Sequence, residues 1–203
     1  MYAKVGRLTG AVGVNPLRSN ARGELNVALG GDYKDPGLGG NLFFAYCAGQ
    51  NVALFSATSA IGLQVYNPVG SGVIAVFSKY TIVVYATSAS TTGFMLANAA
   101  CLTAPTSTTA ATATGKTFLT PPTYGPGSCF AYSIATIPVA PVVVWPLVHN
   151  TAAIASTGID NMNGDLGGAF AAGPGTVTII GALGAAATTA TVALMWEEVP
   201  IAN

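Results

Sequence analysis

His149 is the only histidine in the chain, and it is the first residue to consider for catalysis. A hydrolase triad would pair its imidazole with a carboxylate, and Asp160 and Asp165 follow in the next predicted loop. A serine hydrolase also presents its nucleophile on a sharp G-x-S-x-G turn, which the sequence lacks. We therefore predict that His149 ends a strand and bonds a backbone carbonyl, without catalysing a reaction.

The segment Asp160–Asp165 has some features of a calcium loop, since it combines carboxylate and amide oxygens with a glycine. The third position of such a loop should be Asp or Asn but is Met162, and no glutamate follows at the expected distance. We therefore predict a tight Asx-type turn here and no metal site.

Glu197 and Glu198 are the only adjacent carboxylates in the chain. Neighbouring residues of a strand point to opposite faces, so the two cannot act together as general acid and base. We expect one to face solvent and the other to accept a hydrogen bond from a backbone donor or to pair with a cation such as Arg18 or Arg22.

Other signatures of chemistry are absent from the sequence. It contains no G-x-x-x-x-G-K-[ST] loop and no G-x-G-x-x-G at the start of a helix, so we predict no nucleotide or other cofactor. The three cysteines are widely spaced, and we expect small buried side chains in a reducing compartment. Trp145 and Trp196 lie within strand patterns, which favours core packing over ligand binding. No enzyme is predicted.

Charge is scarce and unevenly distributed. Only 7% of the residues are charged, against roughly 25% in an average soluble domain. Between Asp35 and Asp160 the only charged residues are Lys79 and Lys116. A surface so poor in charge is suited to contact with a bilayer, with other copies or with a larger assembly. No run of about 18 apolar residues occurs, and no apolar segment follows the N-terminal cations, so we exclude the bilayer.

Residues 1–40 differ from the rest by their many glycines and by four cations that precede the first acidic residue. We predict an extended N-terminal arm, because the segment alone would bury too little to fold. The four cations are the predicted partner-contact residues: Lys4, Arg7, Arg18 and Arg22. An ordinary solvated terminus is the alternative.

Residues 41–203 are predicted to form an all-β body of about eight antiparallel strands, a jelly-roll-like β-sandwich. Apolar runs between turn-forming residues carry this prediction, and a strand rich in proline is assigned to a sheet edge. The predicted strands are Asn51–Ala57, Gly62–Asn67, Val73–Ala86, Phe94–Leu102, Ser128–Ile137, Val139–Val148 (the edge), Thr176–Leu183 and Thr188–Val199.

Two segments are predicted as loops, the Thr/Ala-rich residues 103–117 and the residues 150–168. In the strand Val73–Ala86 the even-numbered residues are predicted to face the core, and in the last strand Val192, Leu194 and Trp196 share one face. Several strands are apolar or small on both faces. We expect the second face to be buried between subunits.

Several short segments resemble a class of structural proteins from the virions of tailed bacteriophages. The resemblance extends from about residue 40 to residue 200, and the tract 103–115 has no counterpart in it. The segments that carry it are Gly40–Phe43, Val52–Leu54, Gly62-Leu63, Tyr66–Val73 and Met195–Pro200.

The resemblance implies a β-sandwich subunit on the exterior of a phage capsid, made in the host cytoplasm. It implies a cement or decoration protein that binds the major capsid protein and forms a homodimer or homotrimer. Neither nucleic acid nor membrane is an expected partner. The alternative is a receptor- or glycan-binding module of a head fibre or tail, with aromatic side chains on exposed loops such as 121–132.

Overall fold

β-branched residues between frequent turn-formers produce a chain made of strands. The computed structural model describes residues 41–52, 60–86, 93–116, 127–149, 160–183 and 188–201. The predicted arm, with Lys4, Arg7, Arg18 and Arg22, lies outside these described residues. All described residues belong to the unit Tyr33–Asn203.

Within the described ranges the chain forms strands and no helix. There are eleven strands: β1 (Leu42–Val52), β2 (Ala60–Asn67), β3 (Val73–Ala86), β4 (Gly93–Ala100), β5 (Thr106–Ala110), β6 (Ala113–Lys116), β7 (Phe130–Thr136), β8 (Val142–His149), β9 (Asp160–Ala172), β10 (Thr176–Leu183) and β11 (Thr188–Pro200).

The strands form two antiparallel sheets. The five-stranded sheet has the order β6-β1-β11-β3-β9, and the six-stranded sheet has the order β5-β7-β2-β10-β4-β8. Without β5, β6 and β7, the orders become β1-β11-β3-β9 and β2-β10-β4-β8. This is the eight-stranded arrangement of two Greek keys that defines a jelly roll. The predicted jelly-roll-like sandwich is confirmed.

The predicted loop 103–117 is wrong, because it contains β5 and β6. β5 pairs with β7, and β6 pairs with β1, so each lies at the edge of its sheet. Threonine favours extended backbone, but all five side chains of β5 are exposed. A strand with no buried face has no apolar alternation in its sequence, and so the sequence gives no sign of it.

The predicted loop 150–168 is also wrong for its second half, because residues 160–168 belong to β9. Among the strands of the described residues, β9 pairs with β3 alone and so forms the other edge of the five-stranded sheet. Most of its first residues are polar or glycine, which is compatible with an edge strand but resembles a turn in the sequence.

The first predicted strand, Asn51–Ala57, is likewise displaced. β1 covers Leu42–Val52, and residues 53–57 lie outside the described residues.

The core between the sheets is built from the inward residues of β11 and its neighbours. Val192, Leu194 and Trp196 are buried, as predicted. The Trp196 ring stacks on Phe43, with ring centroids 6.0 Å apart. The core also contains Leu63 and Phe94 from the six-stranded sheet, so it joins the two layers.

In β3 the even-numbered face is the core face only in the second half of the strand. Ile82 and Val84 are fully buried, but in the first half the buried residues are Ala75 and Phe77. Bulges interrupt the register of β3 with β9 between Phe77 and Lys79, and with β11 beside Met195. One extra residue in a strand moves every later side chain to the opposite face. The predicted core positions Ile74 and Val76 are therefore wrong.

A second apolar cluster covers the opposite face of the six-stranded sheet. In β10, Ile180 belongs to the main core, whereas Val177 and Ile179 lie in this separate cluster with Tyr66 and Ala99. All four side chains are buried within the single chain. The expectation that such second faces are left for a neighbouring subunit is therefore wrong for β4 and β10.

Asn67, the last residue of β2, ties the two sheets together. Its side-chain Nδ2 donates to the carbonyl oxygens of Val73 and Ala172, each at 2.9 Å. The two acceptors lie at the start of β3 and at the end of β9, in the other sheet. Asn67 is fully buried, so these two bonds replace water that the carbonyls would otherwise bind.

We expect Asn67→Asp to lower the free energy of unfolding by about 3 kcal/mol, because it places an oxygen against two buried carbonyls. Asn98→Asp is the matched control. The Asn98 side-chain oxygen accepts from Thr178 Oγ1 at 2.8 Å, and an aspartate keeps that acceptor. Urea unfolding of the full chain measures both. Equal midpoints for the two variants would show that Asn67 does not hold the sheets.

Candidate functional site

The residues considered for catalysis lie on different strands, with His149 in β8 and Asp160 and Asp165 in β9. His149 is the last residue of β8 and pairs with Gly93, and its side chain lies outside the described residues. The tight Asx-type turn predicted for Asp160–Asp165 is wrong, because these residues pair with β3 as part of β9. An Asx-type bond follows at the end of this segment, where Asp165 Oδ1 accepts from the backbone N–H of Gly167 at 2.7 Å. It lies in a strand rather than in a loop. No group of three or more metal-ligating side chains is present among the described residues.

Glu198 is a buried carboxylate, whereas its neighbour Glu197 is half-exposed. The Oε2 atom of Glu198 accepts from the backbone N–H of Ser128 at 2.7 Å, and the Oε1 atom of Glu198 accepts from the backbone N–H of Cys129 at 3.0 Å. The indole N–H of Trp196 adds a third bond at 3.3 Å. The prediction that one of the pair accepts backbone donors is confirmed.

The three donors assign Glu198 a structural role. It belongs to β11 in the five-stranded sheet, and residues 127–129 lead into β7 of the six-stranded sheet. A side chain at position 127 would overlap the Glu198 carboxylate, so Gly127 is needed for the close approach. The carboxylate therefore links the two sheets.

The cysteines are inert. Cys47, Cys101 and Cys129 are all free and buried, which confirms the expected packing role. Burial raises the pKa of the Cys47 thiol to about 11. Burial, followed by the Glu198 carboxylate, raises the pKa of Cys129. The thiolate is the reactive form, so the raised pKa lowers the reactivity of the Cys47 and Cys129 thiols at neutral pH.

The most distinctive surface of the described body is an apolar rim, which we define as residues Pro138–Pro146. It comprises the turn after β7 and the first part of β8, and its side chains are exclusively Pro, Val, Ala and Trp. Five of the eleven large hydrophobic side chains exposed in the described residues lie here: Val139, Val142, Val143, Val144 and Trp145.

The rim lies at a sheet edge, because β8 is the last strand of the six-stranded sheet. The edge position predicted from its prolines is confirmed. The predicted burial of Trp145 is wrong, since its side chain is 51% exposed. The sequence pattern of a core strand and that of an exposed apolar edge are identical, and only the strand order distinguishes them.

Contacts with the other sheet fix the rim in position. The hydroxyl of Tyr80 in β3 donates to the carbonyl oxygen of Leu147 at 3.0 Å. The Trp145 ring contacts Phe170 in β9, with centroids 5.6 Å apart. A preorganised apolar surface loses little side-chain entropy when a partner covers it.

No charge interrupts this surface. The sequence carries no charged residue between Lys116 and Asp160. Contiguous exposed apolar patches on soluble proteins mark interaction sites. A membrane-spanning helix is not a candidate within the described part of the chain, where none is long and apolar enough.

Comparisons with protein-family models, with curated proteins and with solved structures found no match to this chain.

We expect Glu198→Gln to lower the free energy of unfolding by about 2 kcal/mol, because one carboxylate oxygen becomes an N–H donor that faces the Ser128 N–H. Glu197→Gln, at the half-exposed neighbouring position, should change it by less than about 0.5 kcal/mol. Urea unfolding followed by tryptophan fluorescence reports both, since Trp196 bonds Glu198 directly. A Glu198 variant as stable as the Glu197 variant would contradict the link between the sheets.

Proposed function

We propose that this chain is a non-enzymatic structural subunit of a phage particle, a cement or decoration protein that binds major capsid subunits on the shell exterior. The observation that carries the assembly role is the apolar rim, a fixed and uncharged surface on a chain that has few charged residues anywhere in its body. The resemblance of Gly40–Phe43, Tyr66–Val73 and Met195–Pro200 to virion structural proteins supports the phage setting.

The rim fits a second copy of this chain. In a twofold-symmetric interface each patch meets itself, so any charge near the axis would oppose its own copy. The rim and its flanks carry no charge over 43 residues, from 117 to 159, which removes that repulsion. Exposed valines and a tryptophan provide the apolar centre that such interfaces have.

The rim is the centre of an interface rather than all of it. A stable contact takes roughly 20 to 30 residues from each partner, and the rim supplies nine. Further area must come from its surroundings or from another part of the chain. The four cations of residues 1–40 provide a second, chemically different contact, which we assign to the capsid lattice.

Self-association through the rim can be tested by changing its exposed side chains. We expect the full chain to be a dimer or trimer, and the double variant V143S/W145S to shift to monomer, because both side chains leave the apolar centre of the contact. The matched control is V69S/L102S, which removes two side chains that are 58% and 75% exposed at another site. Light scattering after size exclusion measures the mass of each.

A control variant that dissociates together with the rim variant would move the contact away from the rim. A wild-type chain that stays monomeric at every concentration would remove the basis for self-association.

Binding of the arm to the capsid can be tested separately. We expect the full chain to co-sediment with purified capsid shells of its phage, and a variant with Lys4, Arg7, Arg18 and Arg22 all changed to Gln to lose most of that binding. Added salt should weaken the wild-type contact, since exposed charges are screened within about 10 Å at 0.1 M. Unchanged urea unfolding of the variant would show that the body remains folded.

Binding that survives both the four substitutions and the removal of residues 1–40 would contradict the assigned role of the arm. Absence of binding by the wild-type chain would contradict the capsid role itself.

A further inference from the structure

The outer face of the five-stranded sheet contains a cavity that the assembly role does not use. Its volume is about 510 Å³, within the range of small-molecule sites. The outward residues of four strands line it: Phe44 from β1, Met195 from β11, Lys79 and Thr81 from β3, and Asn163 and Asp165 from β9.

The strand register arranges these residues in two rows. Phe44, Met195, Lys79 and Asp165 are successive cross-strand partners and form the first row. Ala193, Thr81 and Asn163 are successive partners two residues along and form the second. With strands about 4.8 Å apart, the first row spans roughly 14 Å from the aromatic ring to the carboxylate.

The two ends of the cavity differ in chemistry. Phe44 and Met195 give an apolar floor at one end, and both are half-buried. Lys79, Asn163 and Asp165 are exposed at the other end. An ammonium only donates, a carboxylate only accepts, and an amide does both, so this end offers donors and acceptors side by side.

We propose that this cavity binds a neutral oligosaccharide, with a sugar face on Phe44 and sugar hydroxyls bonded to Asn163 and Asp165. A hydroxyl group donates and accepts at once, so vicinal hydroxyls satisfy a mixed set of this kind. A sugar ring also has an apolar face that packs on an aromatic ring. The length of the row favours two or more sugar units over one.

Other ligand classes fit the cavity less well. One lysine and one aspartate give the lining no net charge, so neither a nucleic acid nor an acidic polymer is attracted. A peptide that adds to a sheet requires backbone groups at an edge, which only β9 among the four lining strands offers, and a peptide paired there would lie at the far end of the row from Phe44. A purely apolar ligand would displace water from the polar end without replacing its hydrogen bonds.

This inference goes beyond the structural role and does not depend on the rim. The alternative function, a receptor- or glycan-binding module, placed aromatic residues on loops such as 121–132. Residues 121–126 of that loop lie outside the described residues. The cavity instead assigns recognition to Phe44 on a sheet face.

Isothermal titration of the full chain with cellotriose, maltotriose, mannotriose and chitotriose tests the proposal. We expect at least one of these trisaccharides to bind, and Asn163→Ala and Asp165→Asn each to weaken that binding by about tenfold or more. Asp165→Asn keeps the oxygen that accepts from Gly167 N–H, so the local backbone is preserved.

Tyr85→Phe is the control variant, because Tyr85 lies on the same face of β3 and bonds Thr191 away from the cavity lining. It should leave the affinity unchanged. The rim variant V143S/W145S should also bind the sugar normally, which separates this proposal from the assembly role.

Three results would overturn the proposal. The first is that none of the four trisaccharides binds, and the second is that the affinity is equal in the wild type and both cavity variants. The third is that a synthetic peptide of residues 1–40 binds in place of the trisaccharides, and that it binds the Asn163→Ala variant less tightly than the wild type. That result would make the cavity a protein-docking site.

Discussion

The sandwich depends on one buried carboxylate. Glu198 is 6% exposed and lies on a central region of the five-stranded sheet, where an unsatisfied charge would cost several kcal/mol. Two backbone N–H groups and one indole N–H offset that cost. The carboxylate also fixes where β7 begins, because the two backbone donors come from the segment before that strand. Asn67 acts in the same region, since Glu198 pairs with Ala75 and Asn67 bonds Val73. Two polar side chains thus join the layers at one end of the sandwich, and the Tyr80 hydroxyl joins them again at Leu147.

The sequence predicted those parts of the fold in which side-chain alternation and local turn chemistry agree. β3 and β10 match their predicted bounds, and the apolar face of β11 is the one expected. Prediction failed where the pattern had no buried face to follow. β5 and β6 are rich in Thr, Ala and Gly and lie at sheet edges, and their strand character comes from pairing with β7 and β1. The bulges in β3 have no sequence signature of their own. They determine in which half of the strand the predicted core face is the observed core face.

The candidate sites divide in the same way. A backbone donor was one of the two partners predicted for the inward member of the Glu197-Glu198 pair, because neighbouring residues of a strand point to opposite faces. The exposure of Trp145 was not predictable, since it depends on β8 being the outermost strand. The cavity on the five-stranded sheet was also not predictable, because Phe44 and Asp165 are more than a hundred residues apart and meet only through a register that crosses four strands. The scarcity of charge has two consequences for the structure. It allows β4 and β10 to be buried on both faces within one chain, and it leaves the rim without charge.

The prolines of the rim limit how the edge strand β8 can pair. An apolar edge strand with a complete ladder of backbone donors would recruit further strands without limit, as in a fibril. Pro146 interrupts that ladder, since proline is tolerated on edge strands where its missing N–H faces solvent. Two bulges against β4 distort the same strand further. β8 is therefore poorly suited to continue its sheet into a strand of another molecule, and what the rim offers a neighbour is its side chains.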